Sequence, residues 1–204
     1  MNTIPAGRHT DAGSIWLLPT ATLAWLIAVV WASLSGALGA LAQAFMPAYA
    51  ALVALGIATP VAVYFAIQPV RRGIDALGLR WLTLMHVWRI PAALVFFWYG
   101  ALDGLPPLFW VLAGVGDLLA GSFAATLWWQ TATAERLRRI HVFGFTDFVV
   151  AVGTGLAFTL IGDPRMALLT TLPMALIPLF GVGLSGASHI IVLHALTRPQ
   201  ATRQ

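Results

Sequence analysis

The sequence predicts an all-helical protein that crosses a membrane several times, and three observations support this fold class. Of its 204 residues, 60% are hydrophobic and only 9% are charged, whereas about a quarter of the residues in a soluble domain are charged. The charged residues cluster between apolar stretches that reach the roughly 20 residues a membrane helix needs. These stretches lack the strict alternation of apolar and polar residues typical of a membrane β-barrel. We therefore expect a helical membrane domain and no soluble domain.

Six apolar stretches are long enough to cross a bilayer, and both ends of the chain are polar. The stretches comprise residues 15–41, 48–68, 81–100, 108–129, 140–161 and 172–196. The first is longer than the apolar core of a signal peptide, so we interpret it as an uncleaved helix. The sequence thus predicts one six-helix transmembrane domain over residues 14–196, between tails of residues 1–13 and 197–204.

The connections between these stretches are short and rich in residues that favour turns. Pro60 is expected to kink the second stretch. Residues 69–80 form a basic connection, with a short interfacial helix as the alternative because its apolar residues can share one face. Residues 101–107, ALDGLPP, predict a tight turn. Residues 130–139 and 162–171 are the later polar connections.

The distribution of arginine predicts the orientation of the chain. Nine arginines lie in the two tails and in connections 69–80 and 130–139, which six helices place on one side of the membrane. Only Arg165 lies in the connections of the opposite side. Because cytoplasmic loops of membrane proteins are enriched in basic residues, both termini are predicted to be cytoplasmic.

Missing residue types exclude several kinds of chemistry. The chain has no cysteine, which excludes disulfides, thiolate metal sites, iron–sulfur clusters and a cysteine nucleophile. It also has no lysine, which excludes a retinal bound as a Schiff base. The net charge of +4 does not indicate binding to nucleic acid, because the arginines flank membrane segments.

Five polar side chains inside the apolar stretches form the candidate site. They are His86 and Arg89 in the third stretch, Asp117 in the fourth, Asp147 in the fifth and His189 in the sixth. A charged side chain at the centre of a membrane helix costs roughly 2.5–3.5 kcal/mol, so such residues need partners and commonly have a function. A rise of about 1.5 Å per residue places all five in the cytoplasmic half. We predict that they form a buried cluster that binds a substrate or protons.

Small residues on the same helical faces predict that these side chains point into the bundle. Alanine, glycine and serine recur one turn away from each of them, and small residues let membrane helices approach closely. Arg89 with two aspartates leaves one negative charge, or none if a histidine is protonated. A purely structural Arg–Asp latch is the alternative, but a second aspartate and two histidines exceed what a latch needs.

Two cofactor arrangements stay open as alternatives. His86 and His189 are suited to ligate a haem if they face each other across the porphyrin. Asp117, Asp147 and His189 offer ligand types that suit zinc, manganese or iron. A cation there would lie beside Arg89, which must then pair elsewhere.

Three further features have structural interpretations. His141 and His194 lie near the ends of predicted helices and are interpreted as interfacial. The segment Gly181–Gly186 matches the pattern GxGxxG. It follows no strand and lies inside an apolar stretch, so we interpret it as a helix-packing motif.

Several motifs between residues 75 and 189 resemble an uncharacterised family of small bacterial multi-pass membrane proteins. The motifs are DALGLRWLTLMHVWRI at 75–90, GLPP at 104–107, AGVGD at 113–117, DFVVAVGTG at 147–155 and the sixth stretch with His189. The resemblance covers roughly residues 50–195. It implies a bacterial inner-membrane location and that these motifs belong together, and it implies no activity.

The function expected first is the binding and movement of a small solute or of protons. Asp117 and Asp147 are expected to take up and release protons, Arg89 to bind an anionic group or tune a carboxylate, and His189 or His86 to relay protons. A chain of six helices without an evident internal repeat is expected to form a homodimer.

A membrane-embedded enzyme acting on a lipid or isoprenoid is the first alternative, with aspartate and histidine doing acid–base or metal chemistry. No motif such as HExxH supports it. A structural or accessory membrane subunit is the second alternative. The expected partners are membrane lipids and a second copy of the chain, and no nucleic acid.

Overall fold

The computed structural model describes residues 12–198, and all of the regular structure in this range is helical. The predicted tails therefore fall largely outside the described residues, at 1–11 and 199–204. Eight α-helices follow one another along the chain: α1 (Ala12–Leu34), α2 (Ala37–Ala44), α3 (Met46–Ala66), α4 (Gln68–Leu84), α5 (Arg89–Ala101), α6 (Pro107–Ala125), α7 (Ala134–Leu160) and α8 (Val182–Leu196). Short 3₁₀ turns and one π-helical turn join or extend them.

Five helical stretches are long and apolar enough to cross a membrane. They are Met46–Ala66, Gln68–Ala101, Pro107–Trp128, Ala134–Leu160 and Ile177–Leu196. Helices α1 and α2 are long and apolar enough only when taken together, and they form a pair bent by 70°. The predicted class of an all-helical membrane protein is confirmed, with five spans or six if the bent pair counts as one.

The first apolar stretch is not one continuous helix as the sequence predicts. Helix α1 ends at Leu34, and α2 begins three residues later at Ala37. Between them Gly36 has a φ of 76°, a left-handed conformation that costs other residues roughly 1–2 kcal/mol. This glycine permits the bend within residues that are otherwise apolar.

The helical stretch that contains the predicted third span has three irregularities. It runs from Gln68 to Ala101, but Gly78, with a φ of 80° and a ψ of 154°, divides it into two helices. The basic connection at 69–80 therefore contains a short helix before the span, in line with the helical alternative. A 3₁₀ turn, Met85–Trp88, then leads into α5. Pro91 follows closely and lacks the backbone N–H that would bond four residues back, which explains why the helix is irregular here.

Small residues bring α5, α6 and α7 close together. A Cβ added to Gly121 of α6 would lie 2.7 Å from the side chain of Ile90, and one added to Gly114 would lie 2.6 Å from Phe97. Both distances are shorter than real contacts, so these crossings need glycine. Helix α6 consequently packs between α5 and α7 and places its residue Asp117 in the interior.

The GxGxxG segment is confirmed as a packing motif. A Cβ on Gly181 would overlap the ring of Trp88, one on Gly183 would overlap the backbone of Gly56 in α3, and one on Gly186 would crowd Phe148. The motif begins in the π-helical turn Ile177–Gly181 and continues into α8. It sets the close packing of α8 on its neighbours.

The connection after α7 is ordered by contacts with α1 and α3. The Tyr49 hydroxyl donates to the carbonyl of Leu169 at 2.6 Å, and the Ser33 hydroxyl donates to that of Thr170 at 3.0 Å. These contacts anchor the 3₁₀ turn Pro164–Thr170. Outside the membrane spans, hydrogen bonds from Arg165 hold the pKa of Asp163 below its usual value.

Candidate functional site

Arg89 lies at the centre of the buried polar residues and bridges two carboxylates. Its Nε donates to Oδ1 of Asp117 at 2.6 Å, and its Nη2 donates to Oδ2 of Asp147. Its Nη1 makes a longer bond of 3.4 Å to the carbonyl of Gly144. The residue is 3% exposed. The planar guanidinium suits this geometry because its N–H groups point in different directions within one plane.

Glycines make room for this ion group on the neighbouring helices. A Cβ on Gly116 of α6 would overlap the carboxylate of Asp147 in α7. A Cβ on Gly144 of α7 would lie within contact distance of both His189 and Arg89. The polar side chains thus occupy space that only glycine leaves open.

The ion group has two carboxylates for one guanidinium, so it carries one excess negative charge when both carboxylates are ionised. Arg89 contributes one positive charge, and Asp117 and Asp147 contribute two negative charges when both are ionised. Within residues 12–198, Arg89 is the only cation paired with either carboxylate. An uncompensated charge in a low-dielectric interior is costly, so the group is most stable when it also holds a proton or another cation.

Three histidines form a second buried group beside the ion group. The rings of His86 and His189 stack with centroids 4.2 Å apart, and Nδ1 of His189 lies 2.9 Å from Nδ1 of His141. None of the three is more than 1% exposed. The three come from the 3₁₀ turn before α5, from α7 and from α8. We call His86, His141 and His189 the histidine trio.

Two hydroxyl groups determine which nitrogens of the trio carry hydrogen. Ser188 lies 3.0 Å from the carbonyl of Leu82 and 3.0 Å from Nε2 of His86. Thr83 lies 2.7 Å from the carbonyl of Leu79 and 2.8 Å from Nε2 of His141. A carbonyl only accepts and each hydroxyl has one hydrogen, so both contacts are made only if the imidazole Nε2–H donates to the hydroxyl.

With hydrogen on Nε2 of His86 and His141, lone pairs remain on the other ring nitrogens. Nδ1 of His141 is then an acceptor, so Nδ1–H of His189 must donate to it, and Nε2 of His189 keeps a lone pair. Nδ1 of His86 and Nε2 of His189 are buried and have no hydrogen-bond partner. Each member of the trio, when neutral, therefore presents a basic nitrogen, and two of these nitrogens are unoccupied.

A cavity of about 180 Å³ lies next to the ion group. Its wall is largely apolar, and Arg89 and Asp117 supply the charged part of it. Aromatic side chains contribute much of the remaining lining: Tyr49, Trp88, Phe96, Phe109 and Phe148. Such a cavity suits a small apolar molecule with one polar or charged group.

The cavity reaches exposed residues of α3 and α7. Ala54 of α3 and Leu156 of α7 both line it and are both exposed on the outside of the bundle. Asp147 faces a different space, a shallow groove on the outer surface between α6 and α7. Arg89 thus connects a carboxylate at the central cavity with a carboxylate near the outer surface.

The structure brings all five predicted site residues together, in two adjoining groups. Arg89, Asp117 and Asp147 form the ion group, while His86 and His189 belong to the histidine trio. The prediction that their helical faces point inward is supported by burial for His86, Arg89, Asp117 and His189, whereas Asp147 is half-buried and faces the outer groove. Whether they bind a substrate stays a prediction.

Sequence reasoning missed the role of His141. It was expected at a membrane interface near a helix end, but it is fully buried and contacts His189. The reason is that α7 begins at Ala134, two turns earlier than predicted, with Thr133 as its N-cap. The pattern Thr–Ala–Glu–Arg at 133–136 is a helix-start signal that could have revealed this.

The two cofactor arrangements left open as alternatives do not fit the structure. His86 and His189 stack directly on each other at 4.2 Å between centroids, so no porphyrin plane fits between their rings. The metal set of Asp117, Asp147 and His189 is not formed either, because Arg89 binds both carboxylates.

Comparison with known proteins identifies a family for most of the chain. A family model described as a domain of unknown function, DUF8737, matches residues 44–197. No curated protein and no solved structure matches the chain. The matched range contains both polar groups and the central cavity, and the expected resemblance to an uncharacterised family is confirmed.

Proposed function

The chain belongs to the DUF8737 family, and we propose that it binds a small apolar cation in its central cavity and exchanges it for a proton across the membrane. One observation supports this above others: Asp117 lines the cavity and shares Arg89 with a second carboxylate, which leaves one negative charge when both carboxylates are ionised. Either a proton or an organic cation would neutralise that charge. Binding of one would therefore favour release of the other.

The lining of the cavity supports a cation with an apolar body. Aromatic faces attract organic cations through their negative π-faces, with about 2 kcal/mol or more when the site is desolvated. Asp117 would pair with the positive charge of the cation directly. It lines the cavity, and Arg89 bonds to only one of its two carboxylate oxygens. Release of the cation would require Asp117 or Asp147 to take up a proton again.

The proposed orientation follows from the arginine distribution. We place both termini in the cytoplasm and the ion group in the inner half of the membrane, in the inner membrane of a bacterium. A second copy of the chain is the proposed partner, because a chain this small without an internal repeat offers only half of the two-fold arrangement common in transporters.

Transport by reconstituted protein tests this proposal. We expect proteoliposomes with an outward-directed proton gradient to accumulate radiolabelled tetraethylammonium and to lose internal protons at the same time. Asp117→Asn removes the titratable group and should lower both rates at least tenfold, while it keeps the size of the side chain. Asp103→Asn is the matched control, since Asp103 is an exposed acid in the turn after α5, and it should keep parental rates.

Two results would count against proton-coupled exchange. Equal tetraethylammonium accumulation by the parent, Asp117→Asn and protein-free vesicles would exclude the proposed transport. Uptake that continues unchanged when the proton gradient is collapsed would exclude the coupling. Either result would favour a structural role, for which the complete pairing of Arg89 is sufficient.

A lipid-modifying enzyme is the second candidate, and the reach of the cavity to exposed residues of α3 and α7 favours it. A lipid or isoprenoid chain could enter between Ala54 and Leu156 and bring its head group to Asp117. Incubation of the reconstituted protein with total bacterial lipid, followed by mass spectrometry, tests this. A lipid product that forms with the parent and not with Asp117→Asn would replace the transport proposal.

A further inference from the structure

The histidine trio has an arrangement that the proposed exchange does not use. His86, His141 and His189 come from three separate helical elements, and one ring nitrogen of each lies within 4.8 Å of those of the other two. We propose that the trio binds one transition-metal ion of the kind that prefers imidazole, Zn²⁺ or Cu⁺.

The hydrogen bonds around the trio match those of metal-binding histidines. A histidine that binds a metal commonly donates its other ring N–H to an oxygen, which fixes the tautomer and the ring orientation. Ser188 accepts from Nε2–H of His86, and Thr83 accepts from Nε2–H of His141. Both hydroxyls are held in turn by backbone carbonyls. The acceptors thus leave Nδ1 of both rings as the nitrogen that can bind a metal.

Two unpartnered nitrogens point to a missing ligand. Nδ1 of His86 and Nε2 of His189 are buried without any hydrogen-bond partner, although buried polar atoms are rarely left unsatisfied. A purely structural trio would be expected to satisfy them. A metal ion would satisfy the first directly and would draw the other two rings towards it.

The spacing of the nitrogens is compatible with a small inward movement on binding. The three nitrogens lie within 4.8 Å of one another, so a metal ion placed between them would lie no more than about 2.8 Å from each, against the 2.0–2.1 Å of a zinc–nitrogen bond. Each ring must therefore move by less than about 1 Å. The hydrogen bond between His141 and His189 is replaced in this step by bonds to the metal, and the proton of His189 moves from Nδ1 to the free lone pair on Nε2.

The adjoining ion group favours a cation rather than opposing it. A bare arginine beside the trio would repel a metal ion. Arg89 instead pairs with Asp117 and Asp147, and the group has no net positive charge whether one or both carboxylates are ionised. With both ionised, three neutral imidazoles with Cu⁺ would bring the total charge of both groups to zero, and Zn²⁺ would bring it to one positive charge.

Metal binding by the purified protein tests this inference without any transport measurement. Protein purified with a tag free of histidine is treated with a chelator and titrated with Zn²⁺, with Cu⁺ under reducing conditions and with Mg²⁺. We expect one Zn²⁺ or Cu⁺ per chain, no binding of the oxygen-preferring Mg²⁺, and a higher melting temperature for the loaded protein. The Zn²⁺ and Cu⁺ titrations show which of the two binds more tightly.

Single substitutions distinguish metal binding by the trio from metal binding by other histidines. His189→Gln should abolish binding, and Thr83→Val should weaken it by about 10- to 100-fold through loss of the hydrogen bond to His141. His194→Gln is the matched control, because His194 lies on α8 outside the trio and packs against Phe65, and it should bind metal as the parent does.

Several outcomes would overturn the inference. One is a parent protein that binds neither Zn²⁺ nor Cu⁺ above the Mg²⁺ background. Another is metal binding that His189→Gln and His194→Gln reduce equally. If the His189→Gln protein does not fold, the inference is tested on the parent protein alone. The parent should lose its metal to a chelator and bind one ion per chain again when metal is returned. Failure here leaves the exchange proposal standing, because that proposal depends on Asp117 and the cavity.

Discussion

At the scale of single residues, glycines opposite the polar side chains decide whether the ion group can form. Asp147 lies over Gly116, and His189 and Arg89 lie over Gly144. A methyl group at Gly116 would overlap the Asp147 carboxylate, and one at Gly144 would lie 2.5 Å from a ring carbon of His189. The polar residues can be recognised in the sequence because placing them in a membrane helix costs free energy. The need for these glycines is visible only when the helices are packed.

Gly116→Ala should therefore destabilise the protein. The added methyl group overlaps the Asp147 carboxylate, and overpacking of this kind typically costs about 1–3 kcal/mol. The measurement is the melting temperature in detergent. Gly153→Ala in α7 is the control, because its Cβ would meet no atom within 4 Å, and it should be neutral or stabilising by up to about 1 kcal/mol. A Gly116→Ala protein as stable as the parent would contradict the placement of Asp147.

At the scale of elements, the irregular turns direct the functional side chains. The 3₁₀ turn Met85–Trp88 brings His86 and Arg89 onto one face, since residues three apart eclipse each other in this helix type. The π-helical turn Ile177–Gly181 precedes the close crossing of α8 and α3. Hydrophobic periodicity predicts a helix at these positions, but not the change in helix type.

The bend between α1 and α2 gives a test at this scale. Gly36→Ala should cost about 1–2 kcal/mol of stability, because the residue must keep a positive φ and its Cβ would meet no neighbour within 4 Å. Gly39→Ala in α2 is the control, with its nearest neighbour at an ordinary 3.7 Å. Melting curves of the two variants are compared. Equal melting temperatures would mean that α1 and α2 are not bent at Gly36.

At the scale of the whole molecule, the proposed orientation in the membrane is based on charge and is open to direct measurement. The chain has no cysteine, so single cysteines can be introduced without a background. Gln130→Cys lies in an exposed connection on the arginine-rich side, and Leu102→Cys lies in the turn after α5 on the other side.

Labelling of intact cells with a membrane-impermeant maleimide should modify Leu102→Cys and leave Gln130→Cys unlabelled until the cells are opened. The physical reason is the cytoplasmic retention of basic loops. Labelling of both variants in intact cells, or of Gln130→Cys alone, would reverse or remove the proposed orientation.

The sequence by itself determined the class of the protein, the approximate spans and the residues that need buried partners. Composition decides the first two, because a long apolar segment with few charges is stable only as a membrane helix. The cost of burying Arg89 decides the third, because that charge requires partners in the interior. These arguments depend on local properties of the chain.

Only the tertiary structure determined how those residues pair and into which groups they fall. It assigned both aspartates to Arg89, placed His141 with His86 and His189, and formed the aromatic cavity beside Asp117. The sequence places these groups at similar depths, but their pairing depends on helix rotation and on where each helix begins. Those quantities follow from the close packing of small residues between helices, which no single stretch of sequence specifies.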